Sequence, residues 1–402
     1  MQTEAHYQGA PILDVDPFST EFLTDPYPFH EQLREAGPVV WIPKYKVWAM
    51  ARYEEVRHVL DDWETFCSSA GGGLSNFNQE KPWRPPSIIL EADPPMHNRT
   101  RGVLAPLLNR AALNKLREGF DEKAKLLVDS ALARQEVDGV KDIAEVFPLQ
   151  VFPDAVGLQK EGRENLLPYA NMAFNAFGPR NELFEEAFKE AEKVTDWIMN
   201  QCRREALSED GFGAQIYAAA DAGEISEQEA GMLVRSLLTA GLDTTMYGIT
   251  SALYSFASFP EQWSLIRENP ALLRPAFEEV VRFQSPVQTF FRTTTCKTQV
   301  AGVPIDADQK VLLFLGAANR DPRRWEAPDT FDVRRRAVGH VGFGHGIHVC
   351  VGQMVARLEA ESVLTELVKR VERIELNGEP VRRLNNTLRG LSSLPLKLYA
   401  AD

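Results

Sequence analysis

Hydrophobic and polar residues follow two different periods along the chain, and these periods divide it into predicted elements. Short apolar runs typical of strands occur at 47–51, within 299–315 and at 394–399. Helical spacing of apolar residues marks 53–60 and then predominates from about residue 110 to about residue 370, where prolines interrupt it. The pattern predicts a mainly α (α+β) fold, in which small sheets lie at the margins of a large helical body.

The clearest predicted helix begins at Ser226. Ser226 and Glu229 have the spacing of a capping box, and helical apolar spacing continues until Pro260. A helix of that length is expected to be central and buried. Its middle, residues 241–245 (GLDTT), carries a glycine, which lowers helix stability by about 1 kcal/mol, and threonines that can bond to the preceding turn. The midpoint is therefore a candidate for local distortion, although small residues there are equally compatible with close helix packing.

A second predicted helix lies between Pro275, which is accepted in a first turn, and Pro286. Within it Glu279 and Arg282 are three residues apart and share one face. Taken alone, this pair is typical of a solvated ion pair on the surface.

Composition and charge exclude several classes of protein. With 44% hydrophobic and 25% charged residues, the 402-residue chain is typical of a globular protein, and we expect one domain spanning 1–402. The net charge of −13 argues against a nucleic-acid binder, which needs a basic surface. We expect a monomer.

The same survey indicates a cytoplasmic protein without membrane attachment. The N-terminus has no basic region followed by an apolar run, and no apolar stretch is long enough to span a bilayer. The four cysteines are scattered without paired spacing, so structural disulfides are not expected.

One of these cysteines lies in an unusual context. The stretch 342–357, GFGHGIHVCVGQMVAR, places Cys350 among glycines and just before a segment with helical spacing. Backbone N–H groups and the helix dipole at such a position stabilise a thiolate. A lone cysteine cannot form a structural zinc site, but it can supply the axial ligand of a haem. The alternative is a small buried hydrophobic residue, whereas a phosphate-binding loop lacks its Gly-Lys-Ser/Thr.

The stretch also resembles the haem-binding signature of the cytochrome P-450 superfamily, Phe-x-x-Gly-x-His/Arg-x-Cys-x-Gly. Two further motifs of that superfamily occur: Glu279-x-x-Arg282, with Arg335 as the third member of its ion network, and AGLDTT at 240–245. The resemblance covers essentially the whole chain. It implies the cytochrome P-450 fold, a haem b (iron protoporphyrin IX) cofactor, and oxidation by O2 with two externally supplied electrons.

The resemblance also implies roles for residues around the haem. Cys350 is the expected proximal thiolate, shielded by Phe343, and thiolate ligation favours cleavage of the O–O bond. Asp243 and Thr244 are expected to relay protons. The expected partners of the haem propionates are basic residues at four positions: His97, Arg101, Arg292 and His348.

The spacing of polar residues gives a first indication of the substrate. Ser236, Ala240 and Thr244 are four residues apart, so a continuous helix carries them on one face, with Ser236 about 12 Å from Thr244. That separation suits a small aromatic acid. Arg84 and Ser87 in the loop KPWRPPS add the chemistry of a carboxylate site, although both could be ordinary loop residues.

A narrower resemblance is consistent with this substrate. The segments FEEVVRFQSPVQTFFRTTT, LFLGAANRDPRRW and NNTLRGL resemble a bacterial subgroup that oxidises para-substituted benzoates, including 4-methoxybenzoate O-demethylases. This implies O-demethylation or hydroxylation at the para substituent. It assigns carboxylate binding to Arg84, Ser87 and Ser236, with Tyr169 closing the site. It assigns contacts with the ring to six residues: Leu90, Phe174, Phe177, Ala240, Val287 and Phe290.

The electrons must come from another protein, because the chain has no flavin or nicotinamide fingerprint. The resemblance implies an iron–sulfur ferredoxin and its reductase, with Arg99, Arg110 and Arg357 as candidate docking residues. Two other functions stay open. One is a monooxygenase of the same fold that acts on a neutral terpenoid or other small molecule. The other is a haem-thiolate sensor that binds a gas or ligand without turnover.

Overall fold

The structure, a computed structural model, describes residues 6–82 and 84–401. Its α-helices are α1 (Thr20–Thr24), α2 (Tyr27–Ala36), α3 (Tyr53–Asp61), α4 (Met96–Leu107), α5 (Arg110–Asn114), α6 (Arg117–Arg134), α7 (Val146–Val156), α8 (Leu166–Asn175), α9 (Glu182–Glu192), α10 (Thr195–Gln201), α11 (Phe212–Asp221), α12 (Glu227–Ala240), α13 (Asp243–Ser258), α14 (Pro260–Glu268), α15 (Leu273–Gln284), α16 (Leu315–Ala318) and α17 (Gln353–Arg370). A π-helical segment at Gly139–Ala144 precedes α7.

The strands are short and form several separate sheets. They are β1 (His6–Tyr7), β2 (Ala10–Pro11), β3 (Val40–Ile42), β4 (Val47–Met50), β5 (Phe66–Cys67), β6 (Glu136–Asp138), β7 (Thr289–Thr294), β8 (Thr298–Val300), β9 (Val303–Ile305), β10 (Lys310–Phe314), β11 (Val371–Leu376), β12 (Val381–Arg383), β13 (Gly390–Ser393) and β14 (Pro395–Ala400). The largest sheet has the order β3-β4-β10-β7-β5, with β10 parallel to β4 and antiparallel to β7. The predicted mainly α fold with small peripheral sheets is confirmed.

The predicted long helix is interrupted in the middle. The capping box of Ser226 and Glu229 starts α12 as expected, but α12 ends at Ala240 and α13 begins at Asp243. The prediction of a distortion is confirmed, whereas the prediction of one continuous helix is wrong. A Cβ on Gly241 would lie 2.3 Å from a ring carbon of Phe152 on α7, so the chain bends where only glycine fits against that ring.

Helix α13 is the centre of the helical body. Most of its residues are buried, and it packs against α8, α14, α15 and α17 as well as β11 and β13. This burial is consistent with the sequence of 244–258, which contains no charged residue. Because α13 is fixed on all sides, the break at its N-terminal end has a fixed position relative to α17 and the cysteine loop before it.

The other strand and helix predictions are confirmed with small changes of boundary. The apolar run at 299–315 divides into β8, β9 and β10, since Gly302 and Asp308 have positive φ angles and turn the chain between them. The run at 394–399 falls mainly in β14. None of the helices in the described part of the chain has the length and apolar character needed to cross a membrane.

Candidate active site

A largely apolar cavity of about 290 Å³ lies where the break between α12 and α13 faces the loop that carries Cys350. Its other walls come from residues 84–90, from α4 and α8, and from β7. Phe290 and Arg292 both reach the cavity, because alternate residues of a strand share one face. Segments far apart in sequence thus meet around one cavity.

The loop before α17 is built around glycines. Gly344 and Gly346 have φ angles of 74° and 67°, and a Cβ on Gly346 would lie 2.4 Å from the carbonyl oxygen of Leu60. The Cys350 N–H donates to the carbonyl oxygen of Phe343 at 2.8 Å, which closes the loop just before α17. The glycines therefore provide both the turn and the close contact with the end of α3.

The Cys350 side chain is exposed to the cavity. Burial within the protein raises the pKa of the Cys350 thiol, while the Gly352 N–H and the guanidinium groups of Arg101 and Arg357 act to lower it. Phe343 lines the same cavity, and the Arg357 guanidinium lies 4.4 Å from its ring centroid. The sulfur thus faces an apolar space with positive charge nearby.

Three of the four predicted propionate partners, Arg101, Arg292 and His348, line this cavity, and the ring of His97 contacts that of His348 at 4.5 Å. Burial lowers the pKa of Arg292 to about 10 and lowers that of Arg101. Neither guanidinium forms an ion pair with a carboxylate of residues 6–82 or 84–401. His348 Nε2 lies 3.7 Å from Asp93 without a hydrogen bond, and His97 Nε2 also has no described partner. Burial also lowers the pKa of His348 to about 4 and lowers that of His97, so both imidazoles are neutral. The two guanidinium groups therefore supply the positive charge that suits an anionic ligand, and the imidazoles can add neutral N–H donors.

The helix break places a threonine at the cavity wall. The Thr244 hydroxyl lines the cavity and donates to the Ala240 carbonyl oxygen at 2.9 Å, across the break. Gly241 cannot be replaced without displacing Phe152. A small hydroxyl group beside an interrupted helix leaves room for a diatomic ligand or a water next to Thr244.

Asp243, the predicted partner of Thr244, does not line the cavity. Its side chain is 1% exposed, and neither carboxylate oxygen has a hydrogen-bond partner among the described residues. Burial raises the Asp243 pKa to about 7, with the Arg383 guanidinium lowering it and the Glu145 carboxylate raising it further. Asp243 is therefore a buried acid that does not line the cavity, with a proton to give near neutral pH.

The predicted carboxylate site lies at one end of the cavity, and the structure adds the contacts of its two arginines, Arg84 and Arg235, which the sequence did not reveal. Arg84 lines the cavity but is held by Glu91 through bonds of 2.8 and 3.2 Å. Arg235 also lines the cavity, and its guanidinium donates to the Pro85 carbonyl oxygen at 3.3 Å without a carboxylate partner in the described part of the chain. The only sequence signal for Arg235 was its place beside Ser236.

The residues predicted to contact the substrate are brought together. All ten line the cavity: Arg84, Ser87, Leu90, Tyr169, Phe174, Phe177, Ser236, Ala240, Val287 and Phe290. The ring of Phe177 lies edge-on to Phe174 at 6.0 Å and to Phe290 at 5.6 Å. Burial raises the pKa of the Tyr169 hydroxyl, which keeps it a neutral donor. The arrangement is a slot with aromatic walls and a polar end.

The predicted ion network is buried, so the alternative of a surface pair is wrong. Glu279 and Arg282 are both fully buried and share two bonds of 2.7 and 2.8 Å. Arg335 Nε reaches Glu279 at 3.1 Å. Arg282 also donates to the carbonyl oxygens of Asn319 and Pro328. The network joins α15 to the irregular segment that leads into the cysteine loop.

The three candidate docking arginines have different surroundings. Arg110 is exposed, Arg99 forms two bonds with Glu229, and Arg357 pairs with Glu278 at 2.5 Å while packing on the Phe343 ring. Arg357 therefore supports the cysteine loop. Only Arg110 remains without a described ion pair.

Comparison with known proteins identifies the family. A family profile described as Cytochrome P450 matches residues 157–400. The chain is 56% identical over 397 residues to the cytochrome P450 CYP199A2 of Rhodopseudomonas palustris, covering 98% of this chain and 96% of that protein. The chain belongs to the cytochrome P450 family. It is also 32% identical over 390 residues to the beta-dihydromenaquinone-9 omega-hydroxylase of Mycobacterium bovis, covering 95% of this chain and 78% of that protein.

Solved structures agree with this assignment. The crystal structure of the cytochrome P450 CREJ in complex with (4-ethylphenyl) dihydrogen phosphate has a TM-score of 0.85 at 26% identity, covering 96% of this chain and 99% of that one. The P450 fold implied by the sequence is thus confirmed, and this P450 is a monooxygenase whose family carries haem. The cavity fits that group, because one cysteine sulfur and basic groups without carboxylate partners line the same apolar space.

Proposed function

We propose that this P450 oxidises the para substituent of a small aromatic carboxylic acid, with 4-methoxybenzoate as the representative substrate. The observation that supports this most is the buried Arg235 beside Ser236 and Ser87, at the polar end of an otherwise apolar cavity. The ligand of the related P450 CREJ, (4-ethylphenyl) dihydrogen phosphate, is likewise a para-substituted aromatic anion. The sequence resemblance to benzoate-oxidising P450s points the same way.

The polar end has donors that match one carboxylate. The Ser236 hydroxyl, which donates to the Met232 carbonyl oxygen at 2.9 Å, can turn toward a bound anion, and so can those of Ser87 and Tyr169. Arg235 supplies a positive charge without a competing carboxylate, while Arg84 is oriented by Glu91. A neutral substrate would leave these groups without partners, which costs binding energy.

The aromatic walls orient the ring. Phe177 contacts both Phe174 and Phe290 edge to face, so a flat ring that enters the slot has little freedom to rotate. With its carboxylate fixed at Ser236, the para substituent is the part that points away from the polar end. The apolar lining also excludes water from the reacting group.

When bound at Cys350, the haem supplies oxygen activation and oxidation of the para group. One oxygen atom of O2 enters the substrate, and the other leaves as water with two electrons and two protons. We assign delivery of these protons to the Thr244 hydroxyl, supplied from the Asp243 carboxyl group. A methoxy group becomes a hemiacetal, which loses formaldehyde, and an alkyl group becomes an alcohol.

We further propose that an iron–sulfur ferredoxin, itself reduced by its reductase, delivers the electrons next to α17. A surface cleft of about 350 Å³ lies between α5, α15 and α17 and includes four arginines: Arg110, Arg117, Arg274 and Arg357. Their only close acidic neighbours in the cleft are Glu278 and Glu361, so the cleft has an excess of positive charge. Positive charge there favours an acidic partner.

The test is a titration of the haem-loaded ferric protein with 4-methoxybenzoate and with its neutral analogue 4-methoxybenzamide, followed by the haem Soret band. We expect a high-spin shift with the acid alone. Ser87→Ala and Ser236→Ala should weaken acid binding by roughly tenfold each, since each removes one charge-assisted hydrogen bond. Formaldehyde release in the presence of a ferredoxin and its reductase then measures turnover.

Other outcomes would favour the other functions. Equal shifts with acid and amide, unaffected by the serine substitutions, would indicate a neutral substrate such as a terpenoid. Binding without product under reducing conditions would indicate a sensor. Either result would leave the P450 family assignment intact.

A further inference from the structure

A network of buried amides joins one wall of the cavity to the loop between β12 and β13. The Asn386 side chain donates to Asn175 O and Asn181 Oδ1, each at 3.0 Å, and accepts from Asn181 Nδ2 at 2.8 Å. The Asn386 N–H donates to Asn175 Oδ1 at 3.0 Å. Asn385 Nδ2 reaches Asn171 Oδ1 at 3.1 Å, and Asn175 Nδ2 reaches Asn171 O at 3.0 Å. These five asparagines form what we call the amide latch.

Three of the five asparagines of the amide latch are almost completely buried. Asn175 is 1% exposed, and Asn385 and Asn386 are each 2% exposed. The segment NNTLRGL that carries two of them resembles benzoate-oxidising P450s, yet none of its residues lines the cavity. Its sequence therefore has a role other than direct contact with a ligand.

The latch connects two walls of the cavity. On one side, α8 carries Tyr169 and Phe174, and its last residue is Asn175. On the other side, Leu388 forms a β-bridge with Val287, which lines the cavity, and Gln288 N–H donates to the Thr387 carbonyl oxygen at 2.9 Å. Separation of α8 from the 385–388 loop would therefore open the cavity between these walls.

Two further contacts restrict the turn after α8. Asn181 caps α9 by accepting from the Phe184 N–H at 3.2 Å, so the latch also holds the start of α9. A Cβ on Gly178 would lie 2.5 Å from the Asn386 Cβ, which shows how closely the turn approaches the loop. Apolar contacts alone allow sliding, whereas directional amide bonds fix the register.

We propose that the amide latch holds α8 and the 176–181 turn closed over the cavity and thereby sets the size of ligand that the cavity admits. Its asparagines are positioning residues, since none of them lines the cavity. The proposal rests on the proposed function only in taking the natural ligand to be a small acid. The larger the ligand, the further the walls must separate before it enters or leaves.

The decisive variant is Asn386→Asp, which keeps the shape but places a carboxylate oxygen opposite Asn175 O and Asn181 Oδ1. The matched control is Asn200→Asp, the same change on an exposed position of α10. The probes are imidazole and 4-phenylimidazole, which coordinate haem iron and carry no carboxylate. Stopped-flow spectroscopy gives association and dissociation rates, and hydrogen exchange reports on residues 171–181.

Each lost buried hydrogen bond corresponds to roughly two- to tenfold in an opening equilibrium. We expect Asn386→Asp to speed exchange of 4-phenylimidazole by about tenfold or more, to change that of imidazole by less than about twofold, and to speed hydrogen exchange in 171–181. Asn200→Asp should change none of these. The proposal would be overturned if hydrogen exchange in 171–181 became faster while the ratio of the 4-phenylimidazole rate to the imidazole rate stayed the same. Unchanged hydrogen exchange in Asn386→Asp would also overturn it.

Asn171→Ala is the milder second variant, because Asn171 is only half-buried and accepts from the network at its edge. It should shift the azole ratio in the same direction by a smaller factor. If both network variants fail to bind haem while Asn200→Asp binds it, the network serves folding and the proposal is wrong. Failure of 4-methoxybenzoate to shift the wild-type spectrum would overturn the proposed substrate alone, because the azole ratio does not depend on it.

Discussion

Asp243→Asn is the substitution whose consequences the structure defines most fully. The side chain is buried, both carboxylate oxygens lack hydrogen-bond partners among the described residues, and burial raises its pKa to about 7. Asparagine has nearly the same shape and no charge. The variant therefore removes the ionisation of this site while leaving the packing of α13 in place.

The magnitude follows from the two pKa values. Below about pH 3.8 both folded and unfolded states hold the proton, so Asp243 costs nothing. Between about pH 3.8 and about pH 7 only the unfolded state ionises, so stability of the wild type falls with rising pH. Above about pH 7 both states ionise, and the cost stays constant at about 4 kcal/mol, since each pKa unit corresponds to about 1.4 kcal/mol. The asparagine variant has none of this dependence.

The assay is urea unfolding of the haem-loaded wild type and Asp243→Asn, measured in parallel. The stability difference in favour of the variant should grow from about 2 kcal/mol near pH 5 to about 4 kcal/mol near pH 8, on top of a constant offset. Equal m-values show that both proteins expose the same surface. A difference that stays constant over this range would refute the reasoning, because Asp243 would then be ionised at its ordinary pKa.

The same variant tests the proton relay. A donor whose pKa lies near the working pH is the most effective general acid, and loss of such a group lowers rates by roughly 100-fold or more. We therefore expect product formation by Asp243→Asn to fall by roughly 100-fold while substrate binding stays unchanged, because Asp243 does not line the cavity. Unchanged turnover would remove Asp243 from the relay and leave its stability effect standing.

Three further substitutions give distinct outcomes. Gly241→Ala forces a methyl group to within 2.3 Å of the Phe152 ring. It should destabilise the protein by about 1–3 kcal/mol, measured as a lower Tm. An unchanged Tm would show that the Phe152 ring can move. Glu279→Gln leaves the buried Arg282 without its counter-charge and should cost about 3–5 kcal/mol, measured by urea unfolding. Arg292→Gln should stabilise the haem-free protein, because the buried guanidinium of Arg292 has no described carboxylate partner. The same variant should lose haem about tenfold faster, measured by transfer of haem to an acceptor protein. Slower unfolding without faster haem loss would contradict a role of Arg292 at the haem.

Local signals in the sequence were sufficient for the fold and for the place of the helix break. The capping box at Ser226 acts within one turn, and it starts α12 where the spacing predicted. The glycine at 241 marked the break, but its cause, the Phe152 ring, comes from a helix some ninety residues earlier in the chain and has no local signal. Features set by local motifs can therefore be predicted, whereas the tertiary contacts that explain them, such as that of Phe152 with Gly241, cannot.

The residues of the candidate site could be predicted from the sequence, but the orientations of their side chains could not. The spacing of Ser236, Ala240 and Thr244 assumed one continuous helix, and all three do line the cavity. The break resets the helical phase, however, so residue spacing alone did not determine where Asp243 would point. Asp243 does not line the cavity, whereas Thr244, Thr245 and Gly248 of the same helix do.

The charges around the cavity give the clearest reason to regard its two ends as sites for different anions. At the cysteine end, Arg101 and Arg292 form no ion pair with a carboxylate among the described residues, although the nearby Asp93 carboxylate acts to raise the pKa of Arg292. These two guanidinium groups are among the predicted partners of the two haem propionates. At the other end, Glu91 cancels the charge of Arg84, and Arg235 remains, which gives one positive charge. A buried charge without a partner is costly, so each excess predicts a ligand of matching charge. One uncompensated arginine matches a monocarboxylate, and a neutral substrate would leave it unpaired.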